Sequence, residues 1–119
     1  MHDRPVLIVE DDADARESLA AFLEGEGYHV LEAQHGGEAL EVLRQSSVCL
    51  ILLDIFMPVM NGHAFMVEQS RDPTLASIPV VVMTADATAA RDAMQRGVAE
   101  AMTKPLNHDR LLEVIAHHC

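Results

Sequence analysis

Positive charge is what this sequence has least of. Its 119 residues carry 8 basic side chains against 19 acidic ones, a formal charge of −11, and the one lysine is Lys104. Gripping a nucleic acid backbone takes a clustered basic surface, so direct nucleic acid binding is not expected. Docking on an anionic membrane is not expected for the same reason. Long apolar runs are missing as well. The longest, Val48–Leu53, has six residues, far short of the roughly 20 that cross a bilayer. The first apolar run, Val6–Val9, ends in Glu10-Asp11-Asp12, which no secretory signal core would do. The expectation is a cytoplasmic protein with no membrane contact.

Cysteine is scarce too. Cys49 and Cys119 form no metal or redox spacing. Cys49 lies in an apolar run and reads as a small core residue, and in a reducing compartment a disulfide is not expected. The terminal His117-His118-Cys119 reads as a helix end rather than a metal site. Low-complexity segments, repeats and linkers are lacking, so residues 1–119 are expected to form one domain around one core. Half the residues are apolar, which speaks against disorder despite the charge.

Five short runs rich in valine, isoleucine and leucine punctuate the chain: Val6–Val9, Tyr28–Ala33, Val48–Leu53, Ile78–Met83 and Val98–Thr103. Three are nearly continuous, as in strands buried on both faces of a parallel sheet. The second and fifth are weaker, as edge strands are. Helical segments lie between them. Ala15, Leu19, Phe22 and Leu23 repeat on one helical face, with Asp12 or Asp14 to cap the start and Gly25 or Gly27 to end it. Further helices are expected over Gly37–Gln45 (Ala39, Leu40 and Leu43 inward), His63–Ser70, Ala87–Arg96 and His108–His118 (Leu111, Leu112 and Ile115 inward). Strict alternation of strand and helix predicts an α/β fold: a doubly wound, flavodoxin-like (βα)5 domain with strand order 2-1-3-4-5. Ligands bind such sheets beyond the carboxyl ends of the strands, where strands 1 and 3 meet.

Chemistry-bearing residues stand at those ends. Strand 1 runs into Glu10-Asp11-Asp12, strand 3 into Asp54, strand 4 into Thr84 and strand 5 into Thr103-Lys104-Pro105. Crowded carboxylates repel one another unless a cation joins them. A small set of hard oxygens suits Mg²⁺. A carboxylate flanked by a metal, an ammonium and a hydroxyl can act as a phosphoryl acceptor.

The set Leu7-Ile8-Val9-Glu10-Asp11-Asp12, Asp54-Ile55-Phe56-Met57-Pro58-Val59-Met60-Asn61-Gly62, Met83-Thr84-Ala85 and Thr103-Lys104-Pro105 strongly resembles the receiver domain of two-component response regulators, chemotaxis receivers among them. Gly27-Tyr28 and Gly37-Glu38-Ala39-Leu40 add to the likeness, which runs from about Arg4 to the end. The resemblance implies that Asp54 accepts a phosphoryl group from a histidine kinase or a histidine phosphotransfer protein. It implies Mg²⁺, with Mn²⁺ as a substitute, bound by Asp11, Asp54 and the Phe56 carbonyl, with Glu10 acting through a metal-bound water. Thr84 and Lys104 would bind phosphoryl oxygens, the Lys104–Pro105 peptide would be cis, and Gly62 would permit the turn after strand 3. Helix 1, with Ala20 and Ala21 exposed, would flank the docked phosphodonor. Such a domain switches a downstream partner and is not an enzyme acting on an external substrate.

Two departures stand out. Receivers usually carry an aromatic residue three positions before the lysine, and here that position is Ala101. Without a ring to reorient, output is expected to depend on displacement of residues 84–88 after strand 4, or on another surface. Phosphatases of the haloacid dehalogenase type place a second aspartate two residues after the nucleophile, where this chain has Phe56. Phenylalanine transfers no proton, so a persistent aspartyl phosphate is expected rather than a phosphohydrolase. A third reading, an interaction module that keeps a relic site, is opposed by the intact acid, threonine and lysine set.

Overall fold

A computed structural model describes residues 4–55 and the chain from 62 onward, the side chain of His63 excepted. Five strands and five helices alternate: β1 (Val6–Val9), α1 (Ala13–Gly25), β2 (Val30–Ala33), α2 (Gly36–Gln45), β3 (Leu50–Asp54), α3 (Gly62–Arg71), β4 (Val80–Thr84), α4 (Ala87–Gln95), β5 (Glu100–Thr103) and α5 (His108–His118). All strand pairs are parallel, in the order β2-β1-β3-β4-β5. This is the flavodoxin-like arrangement expected from the sequence.

Side-chain alternation splits the core into two layers. Leu7, Val9, Ile51, Leu53, Val80 and Val82 face Ala39, Leu40, Leu43, Phe65 and Ala93 of α2, α3 and α4. Val6, Ile8, Leu50, Leu52, Val81 and Met83 face Ala20, Leu23, Leu111, Val114 and Ile115 of α1 and α5. The three inner strands are buried along their whole length, which is why they read as continuous apolar runs. The outer strands each carry a glutamate paired to an arginine: Glu32 of β2 with Arg16 at 3.1 Å, and Glu100 of β5 with Arg110 at 2.6 Å.

Every strand after the first begins two residues later than its apolar run. Tyr28, Ile78 and Val98 are at least partly buried, but their amides bond the end of the preceding segment rather than the sheet. Tyr28 donates to the Leu23 carbonyl (3.1 Å), Ile78 to Leu75 (3.1 Å) and Val98 to Ala93 (3.4 Å). The apolar run reports burial, which starts while the chain is still in the turn before the strand.

Two local expectations are corrected, and one left open is settled. Ala20 is buried at 3% exposure, not exposed, because α1 lays its small residue close against the sheet; Ala15 is the exposed member of the expected apolar face. Of the two caps the sequence offered for α1, Asp12 takes the position, its carboxylate accepting from the amides of Asp14 and Ala15. Cys49 and Cys119 are joined in a disulfide, against the expectation of free thiols. Separation along the sequence hid their approach: α5 returns antiparallel to the sheet, so its end meets the start of β3. Cys49 is nonetheless a buried core residue, as expected.

Candidate functional site

The parallel register carries one residue from each of four strands to a common edge. Glu10 follows β1, and its amide is fixed by the Ala33 carbonyl (3.0 Å). Asp54 ends β3, Thr84 ends β4 and Lys104 follows β5. The Lys104 amide donates to the Thr84 carbonyl (2.8 Å), extending the β4–β5 ladder one step beyond the strands. The Lys104–Pro105 peptide is cis.

Carboxylate oxygens of Glu10, Asp11 and Asp54 lie within 4.8 Å of one another. Glu10 and Asp54 are buried and Asp11 is exposed. The Lys104 ammonium reaches into this group, with Nζ 2.8 Å from Glu10 Oε1 and 3.8 Å from Asp54 Oδ2. Burial raises the Glu10 carboxyl above its ordinary range, and the hydrogen bond and charge of Asp54 push it the same way; Lys104 only partly offsets them. Burial alone would depress Lys104, but the bond to Glu10 and the charges of Asp54, Glu10 and Asp11 outweigh it and raise its value. The cluster is thus under-neutralised, with one cation among three acids. Its donors are all hard oxygens and one side opens to solvent through Asp11, which fits a divalent cation that keeps part of its water shell.

Thr84 is buried at 1% exposure, and its Oγ1 accepts from the Asp86 amide (3.1 Å). The cap of α4 is Asp86, which accepts from the amides of Thr88 and Ala89. Thr84 therefore has no capping duty and keeps its hydroxyl at the strand edge. Ala101 lies on β5, packed against the layer formed with α4. Gly62 opens α3. The Phe56 carbonyl, and the turn expected before Gly62, lie outside the described residues.

Arg16 was not singled out from the sequence. Its Nη1 donates to the Glu10 carbonyl (2.9 Å) and its Nε to Glu32 Oε1 (3.1 Å), with the side chain only 11% exposed. It clamps the backbone beneath the acid cluster to the outer strand. The available signal was its isolation: it is the one basic residue between Arg4 and Arg44 in the most acidic stretch. Beside the cluster runs a cleft of about 270 Å³ whose walls include Leu19, Phe22, Pro105 and Leu106. The Phe22 and His108 rings stack across it at 4.3 Å.

A family model described as the response regulator receiver domain matches residues 6–116. The chain belongs to that family. This receiver is 32% identical over 112 residues to Protein PilH of Pseudomonas aeruginosa, covering 92% of the chain and 93% of PilH. It is 37% identical over 114 residues to the transcriptional regulatory protein ZraR of Escherichia coli, covering 92% of the chain but only 25% of ZraR. It spans about a quarter of the length of several curated relatives it matches. Among solved structures it is similar to the response regulator TrrA of Thermotoga maritima, determined in complex with Mg²⁺ and BeF. That match has a TM-score of 0.86 and 28% identity, over 98% of the chain and 99% of TrrA. The receiver is a signalling module of two-component systems, and its family implies a sensor kinase or phosphotransfer partner. No helix among its described residues is long and apolar enough to cross a membrane.

Proposed function

We propose that Asp54 is the phosphoacceptor of this receiver and that the reaction depends on Mg²⁺, for which Mn²⁺ can substitute. The observation that carries this reading is the convergence of the Glu10, Asp11 and Asp54 carboxylates within 4.8 Å, with the chain's one lysine 2.8 Å and 3.8 Å from two of them. Asp11, Asp54 and the Phe56 carbonyl would hold the metal, with Glu10 acting through water. When bound, Mg²⁺ supplies positive charge against the oxygens of the transferring group. The TrrA structure supports the assignment, since it was obtained with Mg²⁺ and BeF.

The donor is a phosphohistidine on a sensor kinase or histidine phosphotransfer protein. A carboxylate oxygen of Asp54 attacks phosphorus, an O–P bond forms and the P–N bond breaks. The imidazole leaves with that electron pair and takes up a proton. Lys104 exchanges its contact with Glu10 for a phosphoryl oxygen, and Thr84 donates its hydroxyl to another. The donor docks along the α1 cleft, on Leu19 and Phe22 rather than on the buried Ala20. The loops settle into whichever arrangement holds the phosphoryl group better, and a downstream partner reads that arrangement. The receiver catalyses its own phosphorylation and slow dephosphorylation, acts in the cytoplasm, and comprises residues 1–119 as one domain.

Incubation with acetyl phosphate and Mg²⁺ tests this. Intact mass should rise by about 80 Da, and Asp54→Asn should abolish the adduct. Steady phosphate release without an adduct would indicate a hydrolase. Absence of both would leave an interaction module.

A further inference from the structure

The disulfide has no part in the acidic site and lies at the opposite end of β3. Cys49 immediately precedes that strand, is 5% exposed, and its amide donates to the Pro5 carbonyl at 2.9 Å. Cys119 follows α5, is exposed, and donates its amide to the Ile115 carbonyl at 2.8 Å. The two are 70 residues apart in sequence. We propose that Cys49 and Cys119 form a reversible thiol–disulfide site, exchanging with low-molecular-weight thiols of the glutathione class, that locks and releases the last turn of α5.

Three observations support reversibility and consequence. The two residues differ in access: Cys119 is exposed and Cys49 is buried, so an attacking thiolate approaches from the Cys119 side and Cys49 is the sheltered leaving group. The reduced form is also accommodated, because the Arg4 carbonyl lies 3.5 Å from Cys49 Sγ, a ready acceptor for the thiol. Finally, the apolar anchors of α5 stop at Ile115. Leu111, Val114 and Ile115 are buried, whereas Ala116 and His117 are exposed. Beyond Ile115 the side chain most firmly tied to the body of the protein is that of Cys119. That turn carries His117 and His118, which help line a cavity of about 410 Å³ between α5 and β5 with Glu100, Arg110 and Glu113. The redox state of the pair therefore sets how firmly one wall of this cavity is held.

The exchange balances as disulfide plus two thiols giving two cysteine thiols plus the oxidised small-molecule disulfide. Two electrons and two protons pass to the protein. Oxidation reverses the step with the small-molecule disulfide as oxidant.

The test uses the 119-residue chain equilibrated in glutathione buffers from fully reduced to fully oxidised, then acid-quenched. Intact mass should fall by about 2 Da through one reversible transition. In the same samples, hydrogen exchange in the segment after Ile115 should be about tenfold slower when oxidised. Cys119→Ser should show no transition and the faster exchange in every buffer, and Cys49→Ser gives the second control. Failure to lose 2 Da in any buffer would overturn the proposal, as would oxidation without slower exchange of the last turn. None of these readings depends on phosphorylation, so they stand or fall apart from the assignment of Asp54.

Discussion

Lys104 bridges carboxylates that leave two different strands, with its ammonium 2.8 Å from Glu10 and 3.8 Å from Asp54. One cation thus neutralises only part of the charge of three acids. Lys104→Met should destabilise the metal-free protein at pH 7 by about 1 kcal/mol, a modest amount because the lysine is one-third exposed. Removing a positive charge from the metal cradle should also tighten Mg²⁺ binding by about threefold or more. Urea titration without metal and calorimetric titration with Mg²⁺ measure the two effects.

Although it is paired with Lys104, Glu10 sets a pH dependence of opposite sense to that of a carboxylate whose value its ion pair lowers, because burial and Asp54 outweigh the lysine. Its value is raised in the folded protein, so the folded state binds that proton more tightly than the unfolded chain does. Without metal, stability should therefore rise as pH falls through the raised value, with the gain complete near the ordinary value of 4.5. Glu10→Gln removes this contribution. The variant should exceed the parent in stability at pH 7.5, and the difference should vanish by pH 4.5. A constant difference across that range would refute the assignment.

Asp11 is the exposed member of the cluster. Asp11→Asn should weaken Mg²⁺ binding by about tenfold or more while leaving metal-free stability within about 0.5 kcal/mol. Thermal melts with and without Mg²⁺ separate the two, since the metal-induced rise in Tm should shrink without a change in the metal-free Tm.

Arg16 holds the Glu10 carbonyl and Glu32 together from a nearly buried position. Arg16→Ala should cost about 1–3 kcal/mol by leaving both acceptors unmet. It should also weaken Mg²⁺ binding, since the backbone under Glu10 loses its brace. Arg16→Lys keeps the charge but cannot make both contacts, and should restore only part of each loss. A variant that loses stability yet binds Mg²⁺ unchanged would show that the clamp serves the fold alone.

Ala101 leaves β5 without a ring to reorient, so the response should concentrate in residues 84–88. Thr84 opens that segment, and its hydroxyl accepts from the Asp86 amide (3.1 Å). On addition of Mg²⁺ and beryllofluoride, backbone amide resonances of 84–88 should shift more than those of β5. Unmoved amides in 84–88 would place the readout elsewhere.

The topology and both acidic strand ends were legible because buried parallel strands write themselves as apolar runs and functional carboxylates interrupt them. Strand starts were not, since Tyr28, Ile78 and Val98 are sheltered by the core while their amides still bond the preceding segment. Ala20 was misread because alanine suits a tight helix–sheet contact as well as it suits solvent. Arg16 escaped notice because its partners are a backbone carbonyl and a residue of another strand, neither visible as a local motif. The disulfide escaped because nothing across a sequence separation of 70 marks where α5 ends relative to β3.

The glutamates of the outer strands have a consequence for the molecule in a crowded solution. A sheet with open sides invites strand addition by any extended chain. Here Glu32 and Glu100 place charges, each already engaged by an arginine, along both open sides. A newcomer would have to strip water from those charges before making its first backbone bond, so the sheet resists growth into an aggregate at either margin.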